Sequence, residues 1–186
     1  MNVVLMRERR VLDALKPQKN QVVLEIGFGR GKLLGKLAPL VNRVMGVEIN
    51  EELVTRASQR LQFENLELKK APAEDLPFED ASFDAVICSF SYHEFSDGTK
   101  ALKEIWRVLK PLGRVVIVDP SKDSFFVRKF SKMAKGQQMR TFAELRKELL
   151  LAGFSDIIGE RYRMKLLLKG MWLEGTKQSK RAADAT

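Results

Sequence analysis

A run of glycines directly after an apolar stretch is the feature of this sequence with the clearest chemical meaning. Residues 22–31 read V-V-L-E-I-G-F-G-R-G, and a stretch with helical periodicity begins at Lys32. Glycine tolerates positive φ angles and lets a ligand approach the backbone, and the first turn of a following helix presents unpaired N–H groups. A strand, a glycine turn and a helix in this order predict a site for a nucleotide.

The spacing of Gly27, Gly29 and Gly31 bears on which nucleotide this is. Dinucleotide sites favour G-x-G-x-x-G, whereas this chain has G-x-G-x-G, with Lys32 at the position of the last glycine. Glu25 precedes the glycines at the carboxyl end of the predicted strand, where the binding crevice of an open α/β sheet lies. A carboxylate there suits a cationic ligand.

A second acidic residue lies where a ribose would be bound. Glu48 ends the next apolar stretch, 17 residues after Gly31, and paired ribose hydroxyls require a carboxylate acceptor. A glycine turn followed by an acid at this distance favours a ligand role for Glu48 over that of an ordinary surface residue. At this point NAD and S-adenosylmethionine both remain open.

Apolar runs and helical stretches alternate along the chain, which is the pattern of a parallel sheet covered by helices. The predicted strands are Gln21–Ile26, Arg43–Glu48, Leu66–Lys69, Phe83–Phe90 and Arg114–Asp119. The predicted helices are Lys32–Leu40, Glu51–Leu61, Thr99–Leu109 and Thr141–Ala152, with Asn50 and Thr141 as N-caps and Glu144 completing a capping box. Phe154–Glu160 and Met164–Leu168 are predicted to pair as a terminal hairpin.

The segment at residues 71–95, APAEDLPFEDASFDAVICSFSYHEF, resembles the class I S-adenosylmethionine-dependent methyltransferases, in the branch that includes the ubiquinone and menaquinone C-methyltransferases (methyltransferase type 11). Residues 101–119 are similar to the fifth-strand signature of that branch, and residues 152–154 resemble its entry to the sixth strand. The resemblance covers about residues 20–160. It implies a Rossmann-like three-layer α/β sandwich whose seven-stranded, mostly parallel sheet ends in an antiparallel hairpin.

The resemblance also implies a set of residues that bind S-adenosyl-L-methionine. The methionine half is assigned to Glu25, Gly27, Gly29 and Gly31. The ribose is assigned to Glu48, the adenine to the backbone of Ala73, and the methionyl end to the neighbourhood of Ser89. Family members usually carry Asp before that alanine, as the acceptor for the adenine amine. Pro72 replaces it here, and Glu74 is the substitute that we expect.

Methyl transfer from a sulfonium is an in-line displacement, so the protein mainly aligns the acceptor and excludes water. His93 is the sole histidine and is expected at the mouth of the site, beside Tyr92 and Glu94. Because imidazole titrates near neutral pH, His93 is the candidate general base, with packing under a lid as the alternative. Cys88 lies in an apolar run and is interpreted as a core residue. No metal site is predicted.

Composition limits the class of protein and its partners. The chain has 186 residues, one cysteine and no apolar run of membrane-spanning length, which predicts one cytoplasmic domain without disulfides. The net charge is +9, yet residues 20–120 carry 13 Lys and Arg against 15 acids, so the excess lies in the flanks. Basic flanks could attract RNA, an anionic substrate or a membrane surface, or serve solubility alone.

Substrate identity is expected to depend on Ser121–Arg140, which combines Phe and Met side chains with Lys and Arg. This segment is interpreted as a lid, as an RNA-binding surface or as an ordinary packed helix. The pocket is expected to be relatively open unless this segment or a second subunit covers it. The predicted domain is residues 1–174, followed by a frayed tail, Gly175–Thr186.

The sequence thus predicts a methyltransferase for a small or medium-sized acceptor. An RNA or protein methyltransferase is the alternative within the same class. A non-catalytic S-adenosylmethionine-binding domain and a nicotinamide dehydrogenase are the alternatives outside it.

Overall fold

The computed structural model describes residues 3–123, 138–165 and 168–179. Its helices are α1 (Val3–Leu15), α2 (Lys32–Leu37), α3 (Glu51–Arg60), α4 (Gly98–Val108) and α5 (Phe142–Leu151). Its strands are β1 (Val22–Ile26), β2 (Arg43–Glu48), β3 (Leu66–Lys70), β4 (Phe83–Ser89), β5 (Leu109–Pro120), β6 (Phe154–Lys165) and β7 (Leu168–Lys177). Two 3₁₀ turns, Ala38–Leu40 and Tyr92–Glu94, complete the described elements.

The strands form one sheet in the order β3-β2-β1-β4-β5-β7-β6. Neighbours from β3 to β5 pair in parallel, whereas β7 is antiparallel to both β5 and β6. The first strand, β1, therefore lies in the middle of the sheet, with β2 and β3 on one side of it. The strand β4 lies on its other side and is followed by β5, β7 and the edge strand β6. This arrangement confirms the predicted sheet with its antiparallel terminal hairpin.

Helices cover both faces of the sheet, because the central strands are apolar on both sides. On one face Val23, Val44 and Ala85 pack in a core with Val11 of α1 and Leu34 of α2. On the other face the core includes residues of α4 and α5, such as Ile105 and Leu149, packed with strand residues such as Leu24 and Val86. The result is a three-layer α/β sandwich, as predicted.

Both predicted helix starts are confirmed by their hydrogen bonds. The Asn50 side chain accepts from the N–H groups of Glu52 and Leu53. Thr141 and Glu144 form the reciprocal capping box. The helix predicted over Lys32–Leu40 instead ends at Leu37 and continues as a 3₁₀ turn, since Pro39 supplies no N–H for a further helical bond.

Helix α1 was not predicted. Its residues include several charges among the apolar ones, so the local sequence gives only a weak helix signal. The helix nevertheless buries Val11 and Leu15 completely. Tertiary packing against the sheet, rather than local propensity, therefore explains why it forms.

The terminal hairpin was predicted in the right place but with the wrong bounds. The second strand runs over Leu168–Lys177 rather than Met164–Leu168, and the first continues through the charged stretch that follows Glu160. The first strand of the hairpin, β6, is a solvated edge strand with polar side chains on one face. Its hydrophobic pattern therefore did not indicate where the strand ends. Gly175–Lys177 thus belong to the sheet, and the predicted frayed tail is wrong for these residues; 180–186 lie outside the described part.

Lys177 explains why the end of β7 is ordered. Its buried ammonium donates to the carbonyl oxygens of Trp106 (2.8 Å) and Leu109 (2.6 Å) and lies 4.0 Å from the centroid of the Trp106 ring. These contacts connect β7 to the junction of α4 and β5. The strand end is consequently pinned by a charged side chain in the interior of the domain.

We expect Lys177→Met to lower the free energy of unfolding by about 1–3 kcal/mol, because two buried carbonyl groups lose a charged donor. Urea unfolding followed by circular dichroism measures the change. The neighbouring exposed Gln178 provides the control, Gln178→Ala, which should alter stability by less than about 0.5 kcal/mol. Equal losses in both variants would contradict the assignment.

Candidate functional site

The turn after β1 is built from three glycines in the left-handed region. Gly27, Gly29 and Gly31 have φ angles of 71°, 54° and 65°. The Gly27 N–H donates to Val47 of the neighbouring strand at 2.8 Å, and the Gly31 N–H donates back to Phe28 at 2.8 Å. This backbone carries the chain from the sheet to α2 in a few residues and needs glycine to do so.

The surroundings of these glycines differ. A Cβ on Gly27 would lie 2.4 Å from the Cβ of Ser91, and one on Gly31 would lie 2.8 Å from Leu61. A Cβ on Gly29 would meet nothing within 4 Å. Gly27 and Gly31 therefore permit close packing of protein on protein, whereas Gly29 borders open space.

The Glu48 carboxylate connects this turn with the backbone that follows β2. One carboxylate oxygen accepts from the Gly29 N–H at 2.9 Å, and the other accepts from the Asn50 N–H at 3.1 Å. The residue is only 9% exposed. A buried carboxylate is thus fixed at the carboxyl end of β2, beside the glycine that borders open space.

A cavity of about 490 Å³ lies over the carboxyl ends of the central strands, where open α/β sheets bind their ligands. Its volume is within the range typical of small-ligand sites. Six predicted site residues line it: Gly27, Gly29, Glu48, Ala73, Glu74 and Ser89. The structure therefore brings together residues from four separate turns and strand ends.

The Ser89 hydroxyl is the polar atom that most directly indicates a ligand. Ser89 is buried at the end of β4 and lines the cavity, and within the described residues its Oγ has no hydrogen-bond partner. The Ser91 hydroxyl nearby donates to the Ile26 carbonyl at 2.7 Å. Because buried hydroxyls are normally paired, Ser89 has the environment of a group that bonds to a bound molecule.

Glu74 lies on the loop after β3 and reaches the opposite wall of the cavity. Its Oε1 accepts from the Ser96 hydroxyl and from the Asp97 N–H, both at 2.9 Å. Burial raises the pKa of Glu74, but these hydrogen bonds outweigh it and leave the pKa below the ordinary value. The carboxylate is therefore ionised at neutral pH and held in one orientation.

Three predicted site residues are not among those that line the cavity. Glu25 is buried within β1, and Gly31 packs beneath Leu61. His93, expected at the mouth, is instead only 6% exposed and lies behind the cavity wall formed by its neighbour Glu94. The sequence indicated that these residues lie close to the site, but not how deeply they are buried.

The His93 side chain is bound to the end of β5. Its Nδ1 lies 2.9 Å from one oxygen of Asp119, and its backbone N–H donates to the other at 3.0 Å. Burial lowers the pKa of His93, but the bond and charge of Asp119, with a smaller effect of Glu94, outweigh it and raise the pKa above the ordinary value. This pair connects β5 to the loop that follows β4.

Sequence reasoning missed several residues of the cavity wall, including Ile49, Leu53, Phe90, Phe95 and Ser96. Ile49 carried a usable signal, because it directly follows Glu48 at the carboxyl end of a predicted strand. In the structure its side chain is 67% exposed. Phe95 and Ser96 are placed at the wall by the 3₁₀ turn after β4. A turn this short has no periodic sequence pattern from which it could be predicted.

Residues 24–117 match the sequence model of a family described as "Methyltransferase domain". The chain is 42% identical over 100 residues to an uncharacterized methyltransferase, YcgJ, of Bacillus subtilis, covering 52% of this chain and 40% of that protein. It is 35% identical over 122 residues to the ubiquinone/menaquinone biosynthesis C-methyltransferase UbiE of Klebsiella pneumoniae, covering 62% of this chain and 49% of the relative. The chain thus spans less than half the length of these relatives.

Solved structures show the same fold. The crystal structure of YcgJ from Bacillus subtilis superposes with a TM-score of 0.80 at 22% identity, over 94% of this chain and 99% of that one. A phosphoethanolamine N-methyltransferase of Haemonchus contortus, solved with S-adenosyl-L-methionine, gives a TM-score of 0.84 at 18% identity, over 93% of this chain and 52% of that one. With half of its length matched by the family model, this chain belongs to the methyltransferase domain family.

Proposed function

We propose that this protein is an S-adenosyl-L-methionine-dependent methyltransferase and that the cavity over β1, β2 and β4 holds the cofactor. The observation that carries the proposal is the Glu48 carboxylate, which is buried, doubly hydrogen-bonded and part of the cavity lining beside Gly29. A carboxylate in this position accepts from paired ribose hydroxyls. The family match and the names of its relatives agree with this assignment.

The other cavity residues fit the same cofactor. The open space at Gly29 admits a ligand close to the backbone. The Ser89 hydroxyl, which has no hydrogen-bond partner among the residues that the structure describes, is available to a ligand at the end of β4. Glu25 lies buried in β1 beneath the turn and would act on the cofactor's positive charge at a distance. S-adenosylmethionine supplies the methyl group on a sulfonium, and these residues bind and orient it.

The protein's contribution to the reaction is alignment and exclusion of water. Phe90 and Phe95 line the cavity with Ser89, so the acceptor side of the site has an apolar wall. This supports a small or medium-sized acceptor with an apolar part. An RNA acceptor, suggested by the basic flanks, is the second candidate.

No described helix is both long and apolar enough to cross a membrane. Localisation in the cytoplasm stays part of the proposal, together with the identity of the acceptor. Ser121–Arg140, predicted to determine that acceptor, falls largely on residues 124–137, which lie outside the described residues.

Calorimetric titration with S-adenosylmethionine tests the cofactor site. We expect Gly29→Val to abolish measurable binding, because valine is strained at a φ of 54° and its side chain occupies the ligand's space. Glu48→Ala should weaken binding at least about tenfold through the loss of a charged acceptor. Glu52→Ala is the matched control, since it removes an exposed acid from α3. Tight binding of NAD instead would contradict the proposal.

The acceptor class is tested with methyl-labelled S-adenosylmethionine. We expect label in small apolar acceptors, with demethylated quinones as the first set, and none in RNA. Transfer to RNA, together with RNA binding that weakens steeply as salt increases, would support the second candidate instead. Cofactor binding without labelled product from either set would favour a non-catalytic domain.

His93 is the sole histidine, so its imidazole resonance can be followed by NMR without assignment. We expect titration above the ordinary pKa of about 6.5, because Asp119 stabilises the imidazolium. Unfolding then releases the proton, so this contribution to stability is present below pH 6.5 and is lost as the pH rises through the folded-state pKa. Asp119→Asn should move the titration below that of the unchanged protein, since burial alone disfavours the charge.

The measured pKa of His93 also allows a test of whether this residue takes part in catalysis. A general base should give a pH–rate profile that follows the measured pKa of His93. If His93 serves instead to hold the loop after β4, His93→Asn should lower stability and leave the shape of the profile unchanged.

A further inference from the structure

The loop after β4, residues 90–97, forms one wall of the cavity. Two carbonyl oxygens of this loop accept hydrogen bonds from Gln138, which is not among the described residues that line the cavity. The Gln138 N–H donates to the His93 carbonyl at 2.7 Å, and the Gln138 Nε2 donates to the Ser96 carbonyl at 2.9 Å. The position of this wall therefore depends on where Gln138 is held.

Arg140 holds both acceptor groups of Gln138. Its Nη1 donates to the Gln138 backbone carbonyl, and its Nη2 donates to the Gln138 side-chain oxygen at 3.0 Å. Because that oxygen is held, the amide group of Gln138 keeps its Nε2 on Ser96. A planar guanidinium makes such bonds in a defined geometry, whereas an ammonium on a flexible stem does not.

Arg140 is in turn anchored to α5 by an ion pair. Its Nε donates to one oxygen of Glu148 at 2.6 Å, and the two side chains are only 18% and 26% exposed. The other oxygen of Glu148 accepts from the hydroxyl of the buried Tyr92 at 2.8 Å. Burial and the charge of Glu148 raise the pKa of Tyr92, so this hydroxyl stays protonated and donates. The loop after β4 is thus connected to α5 directly and also through Arg140 and Gln138.

The packing around Arg140 leaves its guanidinium little freedom. A Cβ on Gly98, the first residue of α4, would lie 2.7 Å from the Tyr92 hydroxyl and 3.4 Å from Nη2 of Arg140. The guanidinium carbon lies 6.0 Å from the centroid of the Tyr92 ring. Since closely packed groups transmit displacements to their neighbours, a change at Arg140 reaches the residues to which it is bonded.

The wall held in this way includes Phe95 and Ser96, and the Ser96 hydroxyl bonds at 2.9 Å to Glu74, which also lines the cavity. A displaced loop would therefore change the shape of the cavity and a contact across it. On the basis of the cofactor site proposed above, we propose that Arg140 is a positioning residue, which acts through Gln138 on the loop after β4 and thereby sets the affinity for the cofactor. Because Arg140 ends Ser121–Arg140, the segment expected to determine the acceptor is connected to the cofactor cavity at that end.

Calorimetric titration with S-adenosylhomocysteine tests this role. We expect Arg140→Lys to bind this ligand about three- to tenfold more weakly than the unchanged protein, because lysine cannot hold Glu148 and both acceptors of Gln138 together. Arg146 is exposed on the same helix, so Arg146→Lys is the matched control and should keep the affinity within about twofold. Unchanged affinity in Arg140→Lys would overturn the proposal, whereas failure of the unchanged protein to bind would instead overturn the cofactor site itself.

A second variant, Gln138→Met, separates an effect through Gln138 from a general loosening of the fold. Methionine has a similar length but lacks both the Nε2 donor and the side-chain acceptor. We expect this variant to bind S-adenosylhomocysteine about three- to tenfold more weakly. The double variant should lose less affinity than the two single losses multiplied, because both substitutions interrupt one connection. Multiplicative losses, or unchanged affinity in Gln138→Met, would contradict action through Gln138.

The imidazole resonance of His93, the sole histidine, reports on the loop itself. We expect this resonance to shift in Arg140→Lys and to stay in place in Arg146→Lys, because Gln138 bonds to the His93 carbonyl. An unshifted resonance in Arg140→Lys would overturn the proposal. Thermal melting monitors folding, and Gln138→Met, at an exposed position, keeps the affinity test decisive even if Arg140→Lys fails to fold.

Discussion

The bonds of the Glu48 carboxylate are the constraint on which the site depends. Glu48 ends β2 and accepts one N–H from the turn after β1 and another from Asn50. Asn50 in turn caps α3 with its side chain. One buried acid therefore sets the relative positions of the glycine turn, the end of β2 and the start of α3. Its charge also makes that region suitable for a ligand with hydroxyl donors.

Much of the fold followed from the periodicity of the sequence. The central strands carry apolar side chains on both faces, so their existence and positions along the chain could be read from short apolar runs. The elements that were missed or misplaced depend on tertiary contacts instead. Helix α1 exists because Val11 and Leu15 are buried, and the end of β7 is held by Lys177. Neither contact leaves a periodic signal in its own segment.

The sequence indicated which strand ends come together at the candidate site, but not how deeply each residue there is buried. Residues at strand ends, such as Glu48 and Ser89, line the cavity because parallel strands deliver their carboxyl ends to one edge. Glu25 adjoins the glycine turn in sequence and His93 closely follows Ser89, yet the register of β1 and the bond to Asp119 bury both residues. Whether a residue lines the cavity or is buried beside it depends on side-chain packing. Residue order alone does not encode them.

The ends of the segment between β5 and α5 lie side by side in the structure. Ser121 and Arg140 form a β-bridge, the Lys122 N–H donates to the Arg140 carbonyl at 2.8 Å, and Gln138 donates to the His93 carbonyl at 2.7 Å. These bonds join the end of β5, the loop after β4 and the residues before α5 to one another. The end of β5 and the start of α5 are therefore fixed to each other by main-chain bonds, which do not depend on the identity of the side chains at these positions.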